Sequence, residues 1–261
     1  MVEGETSLNA RSVVLSTLLG TVPPRMSARR LVAVGALFGI EEGTIRTALT
    51  RMVQRGELDV AEGARYELSG ALISRQVRQR ESRTAATDAW NGRWRMAVVT
   101  ADGRSSVERA ALRQAMGRLR FAGQREGVWL RPDNLAADRL PDVMAAASAQ
   151  CCWYTADPAG DDGELAAALW DLEGWAARAQ SLRRELHPLL GRLDDGDTSA
   201  LAAGFVVSAA VLRHLQADPL LPRELLGRAW PGASLRREYE VYDAAYRRLL
   251  LEWLVTDETM R

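Results

Sequence analysis

The sequence predicts an α+β fold in three consecutive parts: an N-terminal winged helix-turn-helix, a middle ferredoxin-like (split βαβ) domain and a C-terminal helical domain. Three observations predict it. Residues 1–86 read as helix, helix, tight turn, helix and hairpin. Residues 87–158 read as strand, helix, hairpin, helix and strand, the split βαβ order. Residues 159–261 carry leucine or alanine every three or four positions, the spacing of amphipathic helices.

Composition sets the outer bounds. At 261 residues the chain exceeds a typical single domain, and its 47% hydrophobic and 26% charged content suits a soluble protein able to bury a core. Lys plus Arg and Asp plus Glu are equal at 34 each, so overall charge excludes no partner. Every one of those cations is arginine, a usage that codon bias accounts for. The acidic start, with Glu3 and Glu5, is no signal peptide. The longest apolar stretch, residues 200–212, falls short of the roughly 20 residues that span a bilayer. Adjacent Cys151 and Cys152 sit in an apolar run with Trp153 and Tyr154 that reads as a buried strand. Buried reduced cysteines suggest a cytoplasmic protein with no membrane partner.

In the first part, residues 10–19 form a short apolar-periodic helix, closed by Gly20 and the Pro23-Pro24 pair. Ser27 suits the N-cap of a second helix reaching Phe38, which Gly39 ends. A third helix covers residues 42–55, with Glu41 and Glu42 at its positive end and Arg51 and Arg55 near its negative end. Gly56 stops it. Alternating strands at residues 58–60 and 65–68 follow, joined by residues 61–64 as a hairpin.

In the middle part, residues 95–100 read as a strand, and Ser105 with Glu108 forms a capping box. The helix after it is expected to bury Val107, Ala111, Ala115 and Leu119. Val128, Trp129 and Leu130 mark a strand, Pro141 starts an alanine-rich helix, and residues 150–154 are strand again. In the third part, Leu165, Leu169, Leu172, Ala176, Ala179, Leu182 and Leu186 read as one long helix. Residues 200–215 are apolar on nearly all sides, as in a core helix or a subunit interface. A last helix over residues 234–254 places Tyr239, Tyr242, Tyr246, Leu249 and Trp253 on its apolar side.

A winged helix inserts one helix into the major groove, and that helix needs two different faces. In residues 42–55, Ile45, Leu49, Met52 and Val53 fix the buried side, which leaves Thr44, Arg46, Thr47, Thr50 and Arg51 outward. That set is rich in donors and free of carboxylates. Arginine can pair bidentately with guanine, and threonine can contact phosphate or a thymine methyl. Residues 25–83 hold 11 Arg against 7 acidic residues, a net positive segment. Arg29 and Arg30, opening the preceding helix, suit phosphate contacts, and Arg65, near the hairpin tip, can reach the backbone or minor groove. The same fold also serves as a protein–protein module, so an adaptor is the non-nucleic-acid alternative.

Catalytic signatures are missing. No GxxxxGK[ST], GxGxxG, HExxH or GxSxG motif occurs. His187 and His214 lie on separate helices, and residues 194–197 (Asp-Asp-Gly-Asp) lack the glutamate of a calcium loop and read as an interhelical turn. Asp102, after the first strand of the middle part, stands where some nucleases keep a metal-binding aspartate, but the Asp102-Gly103 pair reads as a turn. The expectation is no catalytic residue, no metal and no cofactor. The enzymatic alternatives are a metal-dependent nuclease and a CoA-thioester hydrolase.

Several motifs carry a family resemblance. They are Thr44-Ile45-Arg46-Thr47-Ala48-Leu49 followed by Gly56-Glu57-Leu58; Trp90-Asn91-Gly92-Arg93-Trp94, similar to a WDGRW motif; and Gly127-Val128-Trp129-Leu130-Arg131-Pro132. To these is added Asp218-Pro219-Leu220-Leu221-Pro222-Arg223-Glu224-Leu225-Leu226, running into Trp230-Pro231-Gly232. In all three parts, in order, the chain resembles the PaaX family, the repressors of phenylacetic-acid catabolism. Asn91 stands where that family usually has aspartate. The resemblance implies a dimeric repressor of aromatic-acid catabolic genes that binds double-stranded operator DNA. It also implies a middle domain similar to CRISPR-associated ferredoxin-like nucleases without their activity, and release by an aryl- or acyl-CoA effector such as phenylacetyl-CoA. Clustered arginines could hold the CoA phosphates. The candidates are Arg93, Arg95, Arg118, Arg120 and Arg131, with Trp94 or Trp129 as apolar walls.

Overall fold

Asn9 opens helix α1 (Ala10–Gly20) by accepting a hydrogen bond from the Ser12 amide at 2.9 Å, and the helix buries Val13, Val14, Leu15 and Leu18. The structure, a computed structural model, describes residues 9–136 and 139–260. Its chain forms two compact units, neither continuous in sequence. The first combines the chain up to Thr84 with Ala179–Gln216 and everything from Ser234 onward; the second combines Ala85–Arg178 with Ala217–Ala233. The helical third segment of the sequence is therefore shared between them.

In the first unit α1 is followed by β1 (Arg25–Ser27), α2 (Ala28–Ala36), α3 (Glu42–Gln54), β2 (Leu58–Ala61), β3 (Arg65–Leu68) and α4 (Gly70–Thr84). Ser27 caps α2 as the sequence predicts, its hydroxyl accepting from the Arg30 amide at 3.4 Å. The three strands form an antiparallel sheet in the order β1-β3-β2. Strand β1 and helix α4 are additions to the expected layout. β1 is three residues long, too short to alternate legibly, and exists because β3 offers it a partner edge. α4 is highly polar and is held by tertiary bonds: buried Gln76 donates to the carbonyls of Leu18, Leu19 and Thr21 at 3.3, 3.1 and 2.8 Å.

Helices α8 (Leu172–Asp194, from Ala179 on), α9 (Ala200–Gln216) and α10 (Gly232–Met260) complete the unit. Its core joins Val13, Leu18, Leu31, Ile45, Leu49, Met52, Leu58 and Leu68 to Leu254 of α10. Tyr239, Tyr242 and Tyr246 of α10 are buried and stack in series, with ring centroids 6.3 and 6.2 Å apart. α9 buries Leu201, Gly204, Phe205, Val211, Leu212 and Leu215 but leaves Val206 exposed, so it is a core helix with one open side. The turn before it holds Gly196 at φ +77°, with Asp197 bound to Arg192 and Ser199.

The second unit contains β4 (Trp94–Val99), α5 (Ser106–Arg118), β5 (Ala122–Arg125), β6 (Val128–Pro132), α6 (Pro141–Ser148) and β7 (Cys151–Ala156). The sheet order β5-β6-β4-β7, antiparallel throughout, is the ferredoxin-like arrangement. The capping box at Ser105 and Glu108 is present. The buried stripe of α5 differs from the expected one: Leu112, Ala115, Met116 and Leu119 point inward, while Val107 and Ala111 are exposed. Leu112 and Met116 sit one turn apart and bring more apolar area to the sheet, which sets the helix rotation. β7 is also not buried on both faces: Cys151 is buried and Cys152 exposed, as alternation requires.

The single long helix expected through Leu165 and Leu186 is two helices. α7 (Asp162–Leu169) ends at Trp170, whose backbone is extended (φ −130°, ψ 140°). Asp171 then starts α8 by accepting from the Gly174 amide at 2.8 Å. The apolar period crosses the break unchanged, so periodicity alone does not reveal it. Among the described residues, no helix is long and apolar enough to cross a membrane.

Candidate nucleic-acid interface

Helices α2 and α3 meet at Gly35. A Cβ built there would lie 2.6 Å from Cγ1 of Ile45, so glycine is what lets the two backbones approach. The connection turns at Gly39 (φ +67°), with the Ile40 amide returning to the Gly35 carbonyl at 3.1 Å. α3 then buries Ile45, Leu49 and Met52 and half-buries Val53, as expected. Its opposite face presents Thr44, Arg46, Thr47, Thr50 and Arg51, all exposed.

That outer face is partly ordered by its own contacts. Arg46 Nε pairs with Glu42 at 2.6 Å, one turn back. The Thr47 and Thr50 hydroxyls donate to the carbonyls of Gly43 and Arg46 at 2.8 and 3.1 Å, which fixes their rotamers and leaves each oxygen free to accept. α3 ends at Gly56 (φ +65°), with the Glu57 amide bonded to Met52 O at 2.9 Å. Ser69 closes the base of the hairpin by donating its hydroxyl to the Gly56 carbonyl. Arg11 of α1 grips Glu57 through both carboxylate oxygens, at 2.9 and 3.2 Å, and this hydrogen bond holds the carboxyl below its ordinary pKa. The hairpin of β2 and β3 is thereby anchored to α1 as well as to α3. Its turn carries Gly63 and Ala64 at positive φ, and exposed Arg65 follows at once. Arg29 is exposed and Arg30 half-buried in the first turn of α2. Sequence reasoning missed Gly35 and exposed Arg25 on β1. A glycine inside an apolar helix was the available signal for the first; no pattern marked the second.

The arginines and tryptophans of the second unit do not gather into one pocket. Trp94 is fully buried on the sheet face opposite α5 and α6, and its indole N–H donates to Asp162 at 2.7 Å. Trp129 packs half-buried on the other face. Arg95, Arg118 and Arg131 do line one cavity together with Arg139, but it measures about 20 Å3, room for about one water. Arg93 is exposed outside it, and Arg120 is half-buried at φ +65°.

Arg131 is an interior residue. Its guanidinium donates to the carbonyls of Pro132 at 2.8 Å and Leu119 at 3.1 Å, and to Asn134 Oδ1 at 2.5 Å. Burial, with help from Arg139, lowers its pKa to about 9; the three acceptors keep it charged at neutral pH. Asn134 in turn donates to the Leu220 carbonyl at 3.0 Å, and Asp218 accepts from the Leu220 amide at 2.9 Å. Two separated motifs, residues 127–132 and 218–226, are thus the two halves of one buried polar network. Among the described residues no three His, Cys, Asp or Glu side chains cluster as a metal site, and Asp102 is exposed.

Comparison with known proteins agrees with this construction. Three family models match in sequence order: "PaaX-like protein" over residues 9–72, "PaaX protein central Cas2-like domain" over 87–157 and "PaaX-like protein C-terminal domain" over 170–253. The Cas2-like match falls on the ferredoxin-like sheet. No curated protein matches. Among solved structures, the uncharacterized protein Rv0674 from Mycobacterium tuberculosis is similar, with a TM-score of 0.69 and 44% identity over 93% of this chain and 97% of that one. The chain belongs to the PaaX family, whose members are transcriptional regulators.

Proposed function

We propose that the chain is a winged-helix transcriptional repressor that binds double-stranded operator DNA as a homodimer. In this reading an aryl- or acyl-CoA thioester such as phenylacetyl-CoA releases it from the genes of aromatic-acid catabolism. The observation that carries the reading is the two-faced α3: Ile45, Leu49 and Met52 inward, donor-rich Thr44, Arg46, Thr47, Thr50 and Arg51 outward, with an anchored antiparallel hairpin following. Such a helix suits the major groove and such a hairpin the flanking backbone. Arg46 and Arg51 reach base edges, Arg29 and Arg30 reach phosphates, and Arg65 at the wing reaches the backbone or minor groove. The exposed Arg46–Glu42 pair is no obstacle, because a surface ion pair is worth about 0–1 kcal/mol. Family membership supports the regulatory role and the aromatic-acid class of signal. The effector acts by favouring a dimer arrangement whose α3 helices no longer match the half-site spacing. No catalytic residue is assigned.

The test is titration of the full chain onto DNA from its own upstream region, at two salt concentrations, with and without phenylacetyl-CoA. Expected are tight binding that weakens with salt as counterions are released, and dissociation by the thioester. Arg46→Ala is expected to cost about 1–3 kcal/mol. Binding indifferent to salt and to Arg46→Ala would discard the DNA reading. Binding unmoved by the thioester would retain the regulator and discard its ligand.

A further inference from the structure

The first unit contains a cavity of about 280 Å3 between α1, α4, α9 and α10. Its floor is apolar, formed by Leu19, Met26, Val34, Phe205, Leu212 and Leu250. Four arginines line it among the described residues, Arg75, Arg83, Arg213 and Arg247, against one carboxylate, Asp243. Asp243 is already engaged, accepting from Arg83 at 2.7 Å and pairing with Arg247 at 2.9 Å. No carboxylate among the described residues pairs with Arg75 or Arg213, and the buried Nε of Arg83 has no hydrogen-bond partner. The hydroxyls of Ser208 and Tyr239, also on the wall, satisfy each other at 2.8 Å. The cavity is thus an apolar space with surplus positive charge and unused donors. Its occupant should be an anion with an apolar body.

Size narrows the class. Small-molecule sites run from about 300 to 1,000 Å3, so this space takes an aromatic or branched acid and not a nucleotide. The shallow depression beside it shares Arg83, Asp243 and Arg247 but adds Glu240, which disfavours a polyphosphate on that side.

We infer that this cavity binds a small organic anion, an aromatic or branched-chain monocarboxylate, its body against Phe205 and Leu212 and its carboxylate toward the arginines. Val34 belongs to α2, which holds α3 through the Gly35–Ile45 contact, so the occupant touches the segment that carries α3. Its role as an effector rests on the DNA-binding reading; the binding itself does not. The acid arrives free; the acyl end of a thioester shares only the apolar body, because its acyl carbon carries no charge.

The test is calorimetric titration of the full chain, without DNA, with phenylacetate, its neutral analogue phenylacetamide, and phenylacetyl-CoA. Phenylacetate is expected to bind, and phenylacetamide about ten-fold or more weaker, as loss of a charge-assisted hydrogen bond requires. Ala209→Phe, which fills the space, is expected to abolish binding, and exposed Arg213→Gln to weaken it by about ten-fold. Thermal melting checks the fold of both; if Ala209→Phe does not fold, Arg213→Gln and the amide decide. Phenylacetyl-CoA that competes with phenylacetate and is lost in Ala209→Phe supports the site, the apolar body entering and the nucleotide remaining outside. No phenylacetate binding by the unmodified chain overturns the inference, as does binding equal in both variants, or thioester binding that survives Ala209→Phe while the acid does not bind. A chain that binds phenylacetate here but no DNA would retire the repressor reading and leave the site standing.

Discussion

Gly35 sets how closely α2 and α3 approach, because Ile45 already fills the space a methyl group would need. Gly35→Ala is expected to lower stability by about 1–3 kcal/mol, the usual cost of overpacking a core. A falling melting temperature of the full chain would show it; an unchanged one would mean that Ile45 moves aside freely. The outer face of α3 was legible in the sequence because helical period separates buried from exposed positions without reference to distant residues. Arg131 shows the opposite case. An arginine reads as a surface cation, and what makes it an interior residue is a set of acceptors on Leu119, Pro132 and Asn134, two of them outside its own strand. The arginine cluster read as a phosphate cradle was therefore partly an internal scaffold, and nothing in local spacing separates the two.

At the scale of elements, whatever was specified locally could be read. The capping box at Ser105, the Ser27 cap and the glycines after α2 and α3 all lie where their neighbours require them. α4 escaped because its helical state depends on partners elsewhere in the chain. Gln76 supplies the contacts of the Leu19 and Thr21 carbonyls at the end of α1 and adds to that of Leu18, which already accepts from Thr21, so one side chain ties two helices together. Gln76→Leu keeps the volume and removes the donor. It is expected to cost about 1–3 kcal/mol through the Leu19 and Thr21 carbonyls left unpaired, read from the urea midpoint of the full chain. An unchanged midpoint would mean that water reaches those carbonyls. The break between α7 and α8 was hidden for a related reason: Trp170 and Asp171 interrupt the backbone without disturbing the apolar period.

At the scale of the whole molecule, contiguous parts were the natural reading, since sequence periodicity carries no long-range pairing. The chain instead leaves the first unit after Thr84, returns at Ala179, leaves after Gln216 and returns at Ser234. A fragment ending at Thr84 is accordingly expected to lack a cooperative thermal transition, having lost Leu254 from its core and the α9 and α10 residues beside it. A sharp melt of that fragment by circular dichroism would show that α1 to α4 suffice. The same interlacing fixes the order in which the protein can be finished during synthesis. Leu250, Trp253 and Leu254, which close over the core built by α1, α2 and α3, leave the ribosome long after those helices have emerged. The surface that carries α3 is expected to gain its final packing only once α10 has been made, so a chain stopped before α10 would present a poor competitor for whatever the protein binds.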